Sequence, residues 1–119
     1  MKISDLLPEI HFDENLITSE IELFQNHYLR SILKFHNGRF RLLLDQYCIE
    51  VNPKFNELTT QRKKNFKDNL LQKNQAVRQL CIGMVIAYLE EEQFQKYLSF
   101  SSEINPRIIQ MLRKRIADA

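Results

Sequence analysis

Three histidines, two cysteines and three groups of basic residues are the side chains of this sequence with chemistry to offer. His27 and His36 are nine residues apart in a segment that reads as helix. Nine residues make two and a half turns, so the two imidazoles project from opposite faces and cannot share a metal ion. A helical metal site wants donors at i, i+3 or i, i+4. At four-residue steps His27 has Leu23 and Ser31, and His36 has Ile32 and Phe40. His11, the third, lies outside this helical segment. Cys48 and Cys81 form no CxxC pair and have no histidine at ligand spacing, so they read as reduced thiols, with Cys81 packed as a small apolar residue. As a nucleophile Cys48 lacks an adjoining base, and neither Ser101 nor Ser102 belongs to a triad signature. Gly38 and Gly83 are the only glycines, which excludes a glycine-rich phosphate loop. The expectation is no catalytic residue, no metal site and no cofactor.

The basic groups are Arg39 with Arg41, Arg62-Lys63-Lys64 with Lys67, and Arg107 with Arg113-Lys114-Arg115. They raise nucleic acid as a partner, contacted through Arg107, Arg113, Lys114 and Arg115 of the last helix. Two features weigh against it. The isoelectric point of about 8.6 lies below the range of most nucleic-acid-binding domains, and neither glycine falls where a helix-turn-helix needs one. By default Arg62-Lys63-Lys64 is a solvated basic face. Asn74 and Arg78 precede an apolar run on one helix, and as polar groups beside a core they are expected to satisfy the ends of neighbouring helices.

The elements that position these groups follow from the apolar pattern. The 119 residues are 44% hydrophobic and 27% charged, ordinary for one globular domain, with only two glycines and three prolines. So little punctuation implies few, long elements, hence helices. Leu80 to Leu89 is apolar throughout except for the Tyr88 hydroxyl, and a helix apolar all round must be covered on every side. It is also half the ~20 residues needed to cross a bilayer, so no membrane partner is expected. The fold expectation is a single-domain, all-α bundle of about four main helices around this central apolar helix, about 75–89, capped by Asn74.

One long helix is expected over about 19–49, opened by a Ser19–Glu22 capping box. Ile21, Tyr28, Phe35, Leu42 and Ile49 form a seven-residue stripe that runs straight through Asn37-Gly38. Leu29, Leu33, His36, Phe40, Leu43 and Tyr47 form a second. Gly38 then marks a weak point or a close approach of another helix. Asn52-Pro53 ends the helix. Thr59 or Thr60 caps the next, about 60–72. Glu90-Glu91-Glu92 opens a helix with Phe94, Tyr97 and Leu98 inward. The last begins at Ser102, or at Asn105 with Pro106 in the first helical position, and buries Ile108, Ile109, Leu112 and Ile116.

Leu29-Arg30 with Ile32-Leu33-Lys34, Pro53-Lys54-Phe55, Lys73-Asn74-Gln75 with Arg78, and Ser102-Glu103-Ile104-Asn105 with Arg107-Ile108-Ile109 resemble a family of small, all-helical, uncharacterised bacterial proteins. The resemblance covers about residues 20–117 and rests on helix starts and packing patterns. Some members carry the label glyoxalase. Glyoxalase-type enzymes resemble βαβββ modules with His and Glu metal ligands on strands, and this sequence supplies no such strands, so the label implies no site residue here.

Charge is uneven along the chain. Residues 1–29 hold one Lys against six Asp/Glu, net −5, and residues 30–119 hold sixteen Lys/Arg against nine Asp/Glu, net +7. Residues 1–17 read as an acidic leader, with a short helical turn at Ser4–Leu7, before a helical domain over 18–119. The leader is expected to lie on the basic body or to exchange between two copies. Met1 to Asp5 lack the apolar region of a signal peptide, which points to a cytoplasmic location. The two stripes on the long helix exceed what one short bundle covers. The leading functional expectation is therefore a non-enzymatic interaction module that self-associates, as a homodimer, through Tyr28, Phe35 and Leu42. Nucleic-acid binding is the alternative, and a small-molecule-binding protein or enzyme the third reading.

Overall fold

The computed structural model describes residues 20–118. The acidic leader, the Ser4–Leu7 turn, His11 and the Ser19 half of the capping box lie outside them. The protein is all-α, with no strand among the described residues. A helical turn at 20–24 leads into a π-helical turn, Gln25–Leu29. Six α-helices follow: α1 (Arg30–Phe35), α2 (Asn37–Val51), α3 (Thr60–Lys73), α4 (Gln75–Ile86), α5 (Glu91–Ser99) and α6 (Ser101–Asp118), with a 3-10 turn at Phe55–Glu57 before α3. The body measures 54 × 25 × 22 Å.

The run from residue 20 to Val51 is helical on both sides of a turn at His36, which divides the one helix expected over about 19–49 into separate elements. The Arg30 N–H donates to the Gln25 carbonyl, five residues back, which makes the turn one residue wider than an α-turn. Buried positions accordingly step from Ile21 and Phe24 to Leu29, then to Leu33, His36, Phe40, Leu44 and Cys48. At His36 the backbone leaves helical geometry, with φ −102° and ψ 15°. Hydrogen bonds flank the turn, His36 N–H donating to Ile32 O at 3.0 Å and Phe40 N–H to His36 O at 3.1 Å, and α2 resumes at Asn37. The buried line of Leu33, His36 and Phe40 keeps its three- and four-residue steps across the turn. Gly38 is exposed and nothing approaches its Cα, so the expected close helix contact is absent there. The seven-residue stripe is not a buried line: Ile21 is buried, whereas Phe35 is 82% and Leu42 72% exposed. The second stripe lines the core as far as Phe40 and continues through Leu44 and Cys48, with Leu43 and Tyr47 only half-buried beside it.

Local signals place the remaining boundaries. Asn52, before Pro53, is extended and ends α2. Thr59 Oγ1 accepts from the Arg62 N–H at 3.3 Å to open α3, and Asn74 Oδ1 accepts from the Val77 N–H at 3.1 Å to open α4. Arg78 then reaches back across that cap, donating to Leu71 O at 3.1 Å and Gln72 O at 3.4 Å. It supplies partners to carbonyls that α3 leaves unmatched at its end.

The central place belongs to α6, which packs against α3, α4, α5 and the π turn. It buries Ile104, Ile108, Ile109 and Leu112. The expected centre, α4, buries only Val77, Cys81 and Val85 and stops at Ile86; Leu80 is 41% exposed. Small residues explain the difference, since Gly83 and Ala87 present too little side chain to draw a second layer of helices over that side. The inward line of α5 is Gln93 and Tyr97, leaving Phe94 and Leu98 exposed. A nine-residue helix on the surface buries one i, i+4 line, and here the Gln93 amide oxygen also accepts from the Glu90 N–H at 3.1 Å. Nor does Pro106 open α6. It lies inside the helix, on an exposed face, and the helix starts directly after Phe100. The carbonyl that loses its donor is that of Ser102, an exposed residue, so the loss falls at the surface. Glu20, buried at the start of the described chain, pairs with Lys96 of α5.

Two leucine truncations test this assignment of faces. Leu33→Ala should destabilise by about 2–5 kcal/mol, whereas Leu98→Ala should stay within about 0.5 kcal/mol of wild type. Urea unfolding followed by circular dichroism measures both, and equal costs would contradict the assignment.

Candidate anion-binding cleft

Folding gathers the basic groups of three separate segments around the end of α6. Arg41 from α2, Lys63, Lys64 and Lys67 from α3, and Arg115 from α6 border one cleft of about 370 Å³. Asn37 and Thr60 contribute its uncharged polar groups, and the apolar floor is formed by Phe40, Leu44, Leu112 and Ile116. Helices α3 and α6 run antiparallel here, because Lys64 lies beside Ala117 while Asp68, four residues on, lies beside Arg113. The first turns of α3 and the last turn of α6 therefore share one wall.

Several of these cations have partners. Lys67 pairs with Asp45 of α2 at 2.6 Å, Lys64 donates to the Ala117 carbonyl at 3.4 Å, and Lys63 stands over the Phe55 ring, 5.8 Å from its centroid. Among the described residues no ion pair involves Arg41, Arg62 or Arg115. The first turn of α3 holds no acidic residue. Cations there oppose the positive end of the helix dipole, so helix stability does not account for them. That mismatch was the signal in the sequence that the solvated-face reading passed over.

Of the four residues expected to contact nucleic acid, Arg107, Lys114 and Arg115 border one depression, and Arg113 is engaged by α3. Arg113 clamps Asp68 of α3, its Nε donating at 2.7 Å and a terminal nitrogen at 3.3 Å. This pair holds the Asp68 carboxyl below its usual range, through the Arg113 hydrogen bond above all. Arg107 donates to Gln25 Oε1 at 3.0 Å and ties α6 to the π turn. Lys114 and Arg115 have no ion pair among the described residues. Together with Arg30 and Arg107, they border a second, broader polar depression that adjoins the cleft at Asn37 and Arg115.

The three residues expected to self-associate lie on the other side of the 20–51 run. Positions 35 and 42 stand roughly 140–160° around the helix from the centre of the buried line of His36, Phe40 and Leu44. Arg41 stands roughly 100° away in the opposite sense. Tyr28 is half-buried, edge-on to Phe24 with centroids 5.3 Å apart. Phe35 is edge-on to His36 at 4.7 Å, and His36 lies against the Tyr88 ring at 4.0 Å. Arg39 donates to the Tyr88 hydroxyl at 3.4 Å.

His36 is buried and His27 exposed, and no three metal-binding side chains cluster among the described residues. Ser102 Oγ donates to its neighbour Glu103 at 2.8 Å, not to a base. Both cysteines are buried and free, and burial raises each thiol from 9.0 to about 11. Neither is a thiolate at neutral pH, so neither is a ready nucleophile. A thiol reagent at neutral pH should label Cys48 and Cys81 only after denaturation. Because the folded-state values lie above 9.0, the thiols favour the fold fully below pH 9, and that contribution disappears as pH rises toward 11. Denaturant midpoints taken across that range should fall, and a Cys48→Ala/Cys81→Ala protein should show a shallower decline.

No family model, no curated protein and no solved structure matches the chain.

Proposed function

We propose that the protein is a non-enzymatic helical interaction module that pairs with a second copy of itself through Phe35 and Leu42, with Tyr28 at the edge of the contact. What supports this is the exposure of Phe35 and Leu42, 82% and 72%, on a helical run whose opposite line is fully packed. Large apolar side chains left together in water on one helix face are characteristic of an interface. The body behind it is read as about four main helices, the 20–51 run, α3, α4 and α6, with α5 laid at one end.

A second copy suits this face because the face is self-complementary. Phe35 and Leu42 lie seven residues apart on one exposed flank, with exposed Arg39 between them. An antiparallel two-fold pairing centred between them sets Phe35 of each copy against Leu42 of the other. No helix among the described residues is long and apolar enough to cross a membrane. A cytoplasmic location suits two buried, reduced thiols.

Nucleic-acid binding stays as the second reading, favoured by the convergence of Arg30, Lys114 and Arg115 beside the cleft. It predicts affinity for duplex DNA that falls steeply with salt. Sedimentation of the protein alone and with a duplex, at low and moderate salt, separates the readings.

The pairing is tested by Phe35→Glu/Leu42→Glu. Both sites are exposed, so the variant should keep its helical signal and lower the sedimenting mass from dimer to monomer. A wild-type chain that sediments as a monomer at high micromolar concentration would refute the pairing.

A further inference from the structure

The cleft bordered by Lys63, Lys64 and Arg115 lies on the flank of α2 away from Phe35 and Leu42, so self-association does not account for it. Five cations converge on about 370 Å³, and among the described residues no carboxylate borders the volume; Asp45, on the same helix as Arg41, is engaged by Lys67. Like charges so placed repel one another unless an anion enters among them. Lys63 and Lys64 stand at the end of the first turn of α3, where the helix dipole disfavours cations, so local helix stability does not explain their position. Pairing with acidic neighbours does not explain Arg41 and Arg115, which make no ion pair among the described residues.

Beneath the cationic rim the cleft is apolar. Phe40, Leu44 and Leu112 form the floor, and the methylene stems of the lysines extend it outward. A volume of this size is at the lower end of what small-molecule sites occupy. From the cationic rim and apolar floor together we infer that the cleft binds a small organic phosphate, with the phosphate among Lys63, Lys64 and Arg115 and the apolar part against Phe40, Leu44 and Leu112. A phosphate dianion matches the number of cations better than a single carboxylate does. It also offers three oxygens to donors arriving from two helices. The cations surround a concavity and do not track along a ridge, which favours a compact ligand over a nucleic-acid strand.

The test is a nitrogen-15 NMR titration of the full chain with phenyl phosphate, inorganic phosphate and benzoate. Phenyl phosphate should bind saturably, with amide shifts confined to residues bordering the cleft. It should bind at least about tenfold more tightly than either comparison, since each lacks one half of the recognised chemistry. Lys63→Ala/Arg115→Ala should weaken phenyl phosphate by at least about tenfold. Lys34→Ala/Lys73→Ala removes the same charge from exposed sites that do not border the cleft and should leave binding within about twofold of wild type. The inference is overturned by absent saturation, by equal affinity for all three probes, or by equal loss in the two double variants. It is likewise overturned if a short DNA duplex binds more tightly than phenyl phosphate and shifts amides along α6 outside the cleft, which would favour the nucleic-acid reading. Unchanged helical signal in both variants ties any loss to the site.

Discussion

The wide turn at Gln25–Leu29 decides which of two apolar lines the long helical run gives to the core. From Phe24, an ordinary α-turn would bring Tyr28 inward next, and the line would continue through Phe35, Arg39 and Leu42. Burying Arg39 without a partner would cost on the order of several kcal/mol. The wider turn moves the inward line on by one residue, to Leu29, Leu33, His36, Phe40, Leu44 and Cys48, in which His36 is the only strongly polar member. The Arg107–Gln25 hydrogen bond holds the turn against α6 at 3.0 Å. The same shift that keeps Arg39 in water also leaves Phe35 and Leu42 there. Exposed apolar area on α1 and α2 is thus a consequence of the core's own register. Wide turns of this kind recur where a helix serves a purpose besides packing.

Apolar packing and polar ties divide the work around α6. Its centre buries Ile104, Ile108, Ile109 and Leu112, which carry no geometry of their own beyond shape. Its rim is fixed by directional contacts to three different elements: Arg107 to Gln25, Tyr97 of α5 to Asn105 at 2.7 Å, and Arg113 to Asp68 of α3. Exposed or half-exposed pairs add little stability each, but they select one orientation among several that an apolar stripe alone would accept. Arg78 acts likewise on the α3–α4 connection, where a single side chain satisfies carbonyls of the preceding helix.

Features resting on local chemistry were legible in the sequence. The Thr59 and Asn74 caps, the stop at Asn52-Pro53 and the duty of Arg78 follow from residue type and spacing within a few positions. Features resting on tertiary choice were not. The five-residue step after Phe24 has no local signature, because both stripes are apolar enough to be buried and only the cost of burying Arg39 separates them. Phe94 and Leu98 look inward by hydropathy, yet α5 is short, lies at the surface and buries its Gln93–Tyr97 line. The apolar run of α4 suggested a centre, but Gly83 and Ala87 thin one side of it, and Leu80 and Tyr88 remain exposed. The cleft escaped notice because its cations come from three segments far apart in the chain. Only the cationic first turn of α3 hinted that those residues serve something other than their own helix.

Charge placement along α2 binds these threads together. Arg39 and Arg41 are two residues apart, and on a helix that puts them on different flanks. Arg39 belongs with Tyr88, Phe35 and Leu42, and Arg41 with Lys63, Lys67 and Arg115. The packed line of Phe40, Leu44 and Cys48 runs between the two flanks on the core side, while exposed Gly38 and Leu42 join them on the solvent side. Structural duty does not exclude a ligand on the basic flank. A lysine that gives one N–H to the Ala117 carbonyl keeps two more, and one paired with Asp45 can still share its charge with an entering anion. On the proposed pairing through Phe35 and Leu42, Arg41 and the rest of the basic flank would lie outside the contact, and each copy's cleft would stay open to solvent.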